Sequence, residues 1–166
     1  SRGADWRAPR VGAKLRAWPD PYGHQQSPES YVMVTHDDIQ AFLDQLGAYG
    51  ASYTEVSDGL WNVRPGGDLD FGLVVHYSPP VVVLRVKVMD LPKDGARHSG
   101  LYRRLLELNS SDLLHGSYGI QDSAIVLTEA LELSHLDFEE FLASYESITL
   151  ALASHIRELA TFKEAR

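Results

Sequence analysis

Cysteine is absent from the 166 residues, which excludes disulfides and thiolate metal ligands. That fits a reducing compartment, and the cytoplasm is the expected location. No apolar run reaches the roughly 18–20 residues of a membrane span, so no membrane helix is expected. No signal peptide is read at the start. Also missing are a GxSxG elbow, a GxxxxGK[ST] or GxGxxG loop, and His pairs at HxxxH or HExxH spacing. The sequence signatures of serine hydrolases, phosphate-loop and dinucleotide enzymes, and zinc proteases are therefore not there. Basic residues are in the minority, 15 against 23 acidic, for a net charge of −8. An acidic body repels phosphate backbones, so no nucleic-acid partner is expected.

The charge is unevenly placed. Residues 1–30 carry Arg2, Arg7, Arg10, Lys14 and Arg16 against Asp5, Asp20 and Glu29, which leaves 10 basic and 20 acidic residues for the rest. The same stretch holds Pro9, Pro19, Pro21 and Pro28 and has little periodic pattern. It reads as a basic arm, partly disordered or docked through Trp6 and Trp18. Residues 31–166 read as a single α+β domain, with an apolar fraction ordinary for a globular protein.

Thr35 is a good N-cap and Asp38 stands three residues on, ahead of the apolar stripe Ile39, Phe42, Leu43 and Leu46; Gly47 and Gly50 end this first helix. Extended pieces follow at Tyr53–Val56 and Leu60–Arg64 around an Asp58-Gly59 turn. After a turn at Pro65-Gly66-Gly67-Asp68, the runs 71–77 and 81–88 alternate with period two and form a hairpin across Ser78-Pro79-Pro80. Leu101, Leu105 and Leu108 mark a short helix, which Asn109 is expected to close in a left-handed conformation. A second hairpin, 113–120 and 124–133, turns at Gln121-Asp122. The last helix starts at Asp137 and Glu140 and carries Phe138, Phe141, Leu142, Tyr145, Ile148, Thr149, Leu152, Ile156 and Leu159 at three- and four-residue spacing.

Four segments carry a resemblance: Leu101-Tyr-Arg-Arg-Leu-Leu-Glu-Leu-Asn109, Gly116-Ser-Tyr-Gly-Ile120, Ala124-Ile-Val-Leu-Thr-Glu-Ala-Leu-Glu-Leu133 and Leu136-Asp-Phe-Glu-Glu-Phe141. Together they resemble the YbjN-like, type III secretion chaperone-like family. The match runs from about Tyr31 to Leu159 in element order and is specific across Leu101–Phe141; Tyr118 stands where phenylalanine is commoner. The resemblance implies a helix–three strands–helix–two strands–helix fold, an antiparallel sheet of about five strands with helices mainly on one face. It also implies protein binding and frequent homodimers, and no active site.

The residues are read for chemistry beside this. His36, Asp37 and Asp38 are consecutive at a helix start and point apart, so they do not converge on a metal unaided. His98, His115, His135 and His155 have no ligand spacing. Glu129 interrupts the apolar face of Ile125, Leu127, Leu131 and Leu133; a strand edge, a bulge or a salt bridge explains it more simply than acid–base catalysis. No catalytic residue, cofactor or metal is expected. The leading reading is a non-catalytic chaperone or adaptor that binds an unidentified protein partner. A small-ligand or enzymatic α+β domain with a carboxylate or histidine pocket is the alternative, and a purely structural assembly subunit is a third. An exposed apolar surface favours the first and an enclosed polar pocket the second. A large interface that leaves no apolar patch favours the third. Because three helices do not cover both sheet faces, the second face is the candidate partner or dimer surface: Val74, His76, Val81, Val83, Arg85 and Val126.

Overall fold

Thr35 opens α1 (His36–Leu46), in a computed structural model that describes residues 33–67 and 71–163. The Thr35 hydroxyl accepts the Asp38 N–H at 3.3 Å, and the Asp38 carboxylate accepts the Thr35 N–H at 2.8 Å. These are the two halves of a capping box. The Thr35 hydroxyl also donates to that carboxylate at 2.6 Å, and this bond and the Thr35 N–H together favour the ionised form and hold Asp38 below its ordinary pKa. Ile39, Leu43 and Leu46 are buried. A short 3₁₀ turn, Gly47–Tyr49, ends in the left-handed Gly50. Gly66 lies so close that an added Cβ would stand 2.6 Å from the Gly50 carbonyl oxygen. Only glycine lets the end of the second strand approach the exit of α1 in this way. The expected basic arm, residues 1–30 with Trp6 and Trp18, lies outside the described residues.

Six strands form one antiparallel sheet: β1 (Ser52–Ser57), β2 (Leu60–Arg64), β3 (Leu73–Ser78), β4 (Val81–Asp90), β5 (Ser117–Gln121) and β6 (Ala124–Glu132). Their order is β1-β2-β3-β4-β6-β5. The family resemblance implied three strands before the second helix and about five in all. Four precede it, because the short, polar β1 pairs with β2 along most of its length through the Asp58-Gly59 turn.

Two further helices are α2 (His98–Ser111) and α3 (Phe138–Leu159). Asp137 caps α3 by accepting the Glu140 N–H at 2.8 Å. Phe141, Tyr145, Ile148, Leu152 and Leu159 are buried along one stripe, and α3 lies against β4 and β6. Asn109 does not close α2, which runs two residues further to Ser111. Its amide is used elsewhere. Asn109 Oδ1 accepts the Tyr118 N–H at 2.7 Å, and Nδ2 donates to the Tyr118 carbonyl at 3.2 Å. Those backbone groups belong to the outer edge of β5, so the helix covers an edge that would otherwise be open for pairing.

Strand register assigns the two faces. Trp61, Val63, Leu73, Val75, Val82, Leu84, Val86, Ile125 and Leu127 are buried beneath the helices. Trp61 is fully buried core, its Nε1 without a hydrogen-bond partner among the described residues. A bulge in β4 between Lys87 and Met89 keeps Val88 and Met89 both inward. No helix of the described residues is long and apolar enough to cross a membrane.

Candidate protein-binding surface

Alternation along a pleated strand puts every second residue on the face away from the helices. His76 stands opposite Val83, Val74 opposite Arg85, and Ser78 opposite Val81. On the other side of β4, Val83 faces Ala130, Arg85 faces Thr128, and Lys87 faces Val126. All six sequence candidates, Val74, His76, Val81, Val83, Arg85 and Val126, therefore share this face. Leu60, opposite His76, and Ala130 extend the apolar strip in both directions. Val74 retains 38% exposure, and Val81, Val83 and Val126 are half-buried.

Two cations share this face, Arg85 between Val74 and Thr128 and Lys87 opposite Val126. Arg85 Nε donates to Thr128 Oγ1 at 3.2 Å, which holds the guanidinium flat along the sheet. Lys87 Nζ reaches Asp90 at 2.7 Å. Val74, Arg85, Lys87 and Val126, with the β5–β6 turn, line a shallow concavity of about 340 Å³. The arrangement can accept apolar side chains between the strands and hydrogen-bond acceptors at its Arg85 and Lys87 rim. Leu60 and Ala130 were missed at the sequence level; correct pairing of β2 and β6 was the signal that could have found them.

The buried polar groups lie on the other face. Glu129 is neither turned outward nor at a bulge: it faces α3, 9% exposed. One carboxylate oxygen accepts from Ser144 Oγ at 3.2 Å and lies 3.1 Å from His115 Nδ1. Of the explanations offered by the sequence, the ion pair is the one whose partner is in place, since His115 and Ser144 meet Oε1, while Oε2 is buried without a hydrogen-bond partner among the described residues. His155 is buried on α3, its Nδ1 2.9 Å from the Tyr118 hydroxyl and its Nε2 3.4 Å from Asp112. An imidazole protonated on Nε2 satisfies both neighbours. Burial, reinforced by the Asp112 and Glu158 charges, pushes the Tyr118 phenol well above its ordinary pKa. Both networks join elements of the fold, and the larger concavities of the described surface are open grooves.

The sequence pattern of the CesT_Tir_1 family, a type III secretion chaperone family, matches residues 33–165. This chain belongs to that family. The chaperone-family fold is matched in solved structures. The ExoU–SpcU heterodimer of the Pseudomonas aeruginosa type III secretion system contains a chain with a TM-score of 0.56 and 19% identity, covering 76% of this chain and 98% of that one. YbjN from E. coli gives 0.56 and 18%, covering 78% and 96%. A chain of the ExsC–ExsE complex gives 0.51 and 14%, covering 76% and 97%. At these identities the likeness is one of fold. No curated protein matches the chain. The resemblance carried by Leu101–Phe141 thus agrees with both the family pattern and the fold.

Proposed function

We propose that this chain is a non-catalytic, chaperone-type protein that holds a segment of a partner protein on the open face of its sheet. The observation that carries the reading is the set of apolar residues Leu60, Val74, Val81, Val83, Ala130 and Val126 on the sheet face away from α1, α2 and α3, interleaved with His76, Arg85 and Thr128 and ending beside Lys87. Membership in a secretion chaperone family supports it, as do solved structures of similar fold that are complexes with other proteins. The occupant that suits the strip is an apolar segment carrying a carboxylate, which the rim cations would meet. The setting we take for it is the cytoplasm.

The same reading includes a homodimer. A second apolar patch lies where α2 meets β5: Leu106 is 67% exposed, Ile120 51%, and Tyr102 half-buried beside them. Arg103 and Glu107 flank Leu106 and already pair at 2.9 Å. A patch carrying both signs suits a two-fold contact, in which each arginine can face the copy's glutamate. About 800 Å² per subunit is the size of a stable interface.

A photo-crosslinking residue placed at Val83 in the native cell tests the client surface. The expected result is a covalent adduct with one partner polypeptide, absent when the same probe stands at the exposed Val56 of β1. Equal labelling from both positions would remove the sheet face from the proposal. Sedimentation of wild type and Leu106→Asp tests the dimer, which the variant is expected to dissociate; a monomeric wild type at high micromolar concentration would contradict it.

A further inference from the structure

His36, Asp37 and Asp38 diverge, as consecutive residues at a helix start must. The fold gives His36 other partners. Its Nε2 stands 3.4 Å from Glu55 Oε1 on β1 and 3.7 Å from Asp58 Oδ1 in the β1–β2 turn. The three donor atoms lie within 4.8 Å of one another. The ring is held in place. Trp61 packs against it at 4.9 Å between centroids, and Tyr77 meets it edge-on at 6.1 Å. Its Nδ1 is engaged by the Asp37 carboxylate at 3.1 Å.

We propose that His36, Glu55 and Asp58 bind a first-row divalent transition cation of the zinc type, with Asp37 as a positioning residue for the imidazole. Four observations meet here. Ligand bonds of about 2.0–2.2 Å place tetrahedral neighbours about 3.4 Å apart, close to both distances from Nε2. Asp58 is fully exposed and free to close the third side. A carboxylate on the far ring nitrogen is how metal-binding histidines are oriented, and Asp37 supplies it. Finally, among the described residues no lysine or arginine pairs with Asp37, Glu55 or Asp58. Three carboxylates outweigh the partial positive charge of the α1 N-terminus. An imidazole donor selects against calcium and magnesium, which take oxygen ligands. The bound ion would clamp the start of α1 to the β1–β2 hairpin.

A proton competes with the ion for Nε2. Binding should therefore weaken as pH falls. Titration of the full, tag-free chain with Zn²⁺ alone, followed by calorimetry at pH 7.5 and 5.5, tests the site. One ion per chain is expected at pH 7.5, with much weaker binding at pH 5.5. His36→Ala, Glu55→Gln and Asp58→Asn should each remove or severely weaken it. Asp37→Asn should weaken it about 10–100-fold, and Glu139→Gln, at an exposed carboxylate of α3, should leave it unchanged. The two exposed carboxamide variants keep the test valid should His36→Ala disturb the helix start. Absence of saturable binding in wild type, or unchanged binding in both His36→Ala and Glu55→Gln, would overturn the proposal.

Discussion

Replacing Leu152 with alanine removes most of one side chain from the centre of the α3 stripe. Leu152 is 1% exposed and belongs to the core that includes Leu84, Leu127 and Ile148. The loss has two parts: the transfer free energy of the missing carbons and the cavity they leave. Fully buried leucines of this kind cost about 2–5 kcal/mol. The flanking elements are a long helix and two central strands, none able to collapse far into the gap, so a value near 3–4 kcal/mol is expected. With a urea m-value of about 2 kcal/mol/M, the midpoint should fall by about 1.5–2 M with unchanged slope. Far-UV circular dichroism in urea is the assay. Leu150→Ala, two residues away but 68% exposed, is the internal comparison and should stay within about 0.5 kcal/mol. Equal shifts for the two variants would mean that α3 does not seat this stripe on the sheet.

Asn109→Ala should cost about 1–3 kcal/mol, because it unpairs two backbone groups of Tyr118; amide hydrogen exchange should show faster opening of β5, and protection equal to wild type would count against the bridge. Alkaline titration followed at 295 nm should find Tyr118 and Tyr145 ionising late, since burial raises both phenols. The sign is fixed by linkage: a raised folded pKa gives stability that is complete below the unfolded value of about 10 and is lost as pH rises through the folded one. Loss of Tyr118→Phe stability relative to wild type should therefore not grow with alkali, and a variant that loses more stability at pH 10.5 than at pH 8 would contradict it.

Local patterns were legible wherever one residue type decided the geometry. Thr35 and Asp38, the alternation 81–88 and the α3 stripe each predicted their element from nearest neighbours. The open face was legible too, because Val81 and Val83 had to oppose Val82 and Leu84. What escaped was long-range. Asn109 looked like a helix terminator, yet its amide is drawn to a strand that returns nine residues later. Glu129 looked misplaced until Ser144 on α3 and His115, just ahead of β5, met it. His36 seemed isolated because Glu55 and Asp58 come from a hairpin about twenty residues away. Side chains that act through tertiary partners leave no periodic signal, and such partners carry the polar half of this structure.

The central claim is that the sheet face of Val83 receives a partner protein, and Val83→Asp tests it most directly. Quantitative co-purification from the native cell, comparing wild type, Val83→Asp and the exposed control Val56→Asp, is the measurement, with circular dichroism confirming that all three remain folded. An unpaired charge buried in the contact costs about 3–5 kcal/mol, a loss of at least a hundredfold in affinity. The account predicts that the partner retained by wild type and Val56→Asp disappears from folded Val83→Asp. Retention of the same partner, in the same amount, by folded Val83→Asp would contradict it.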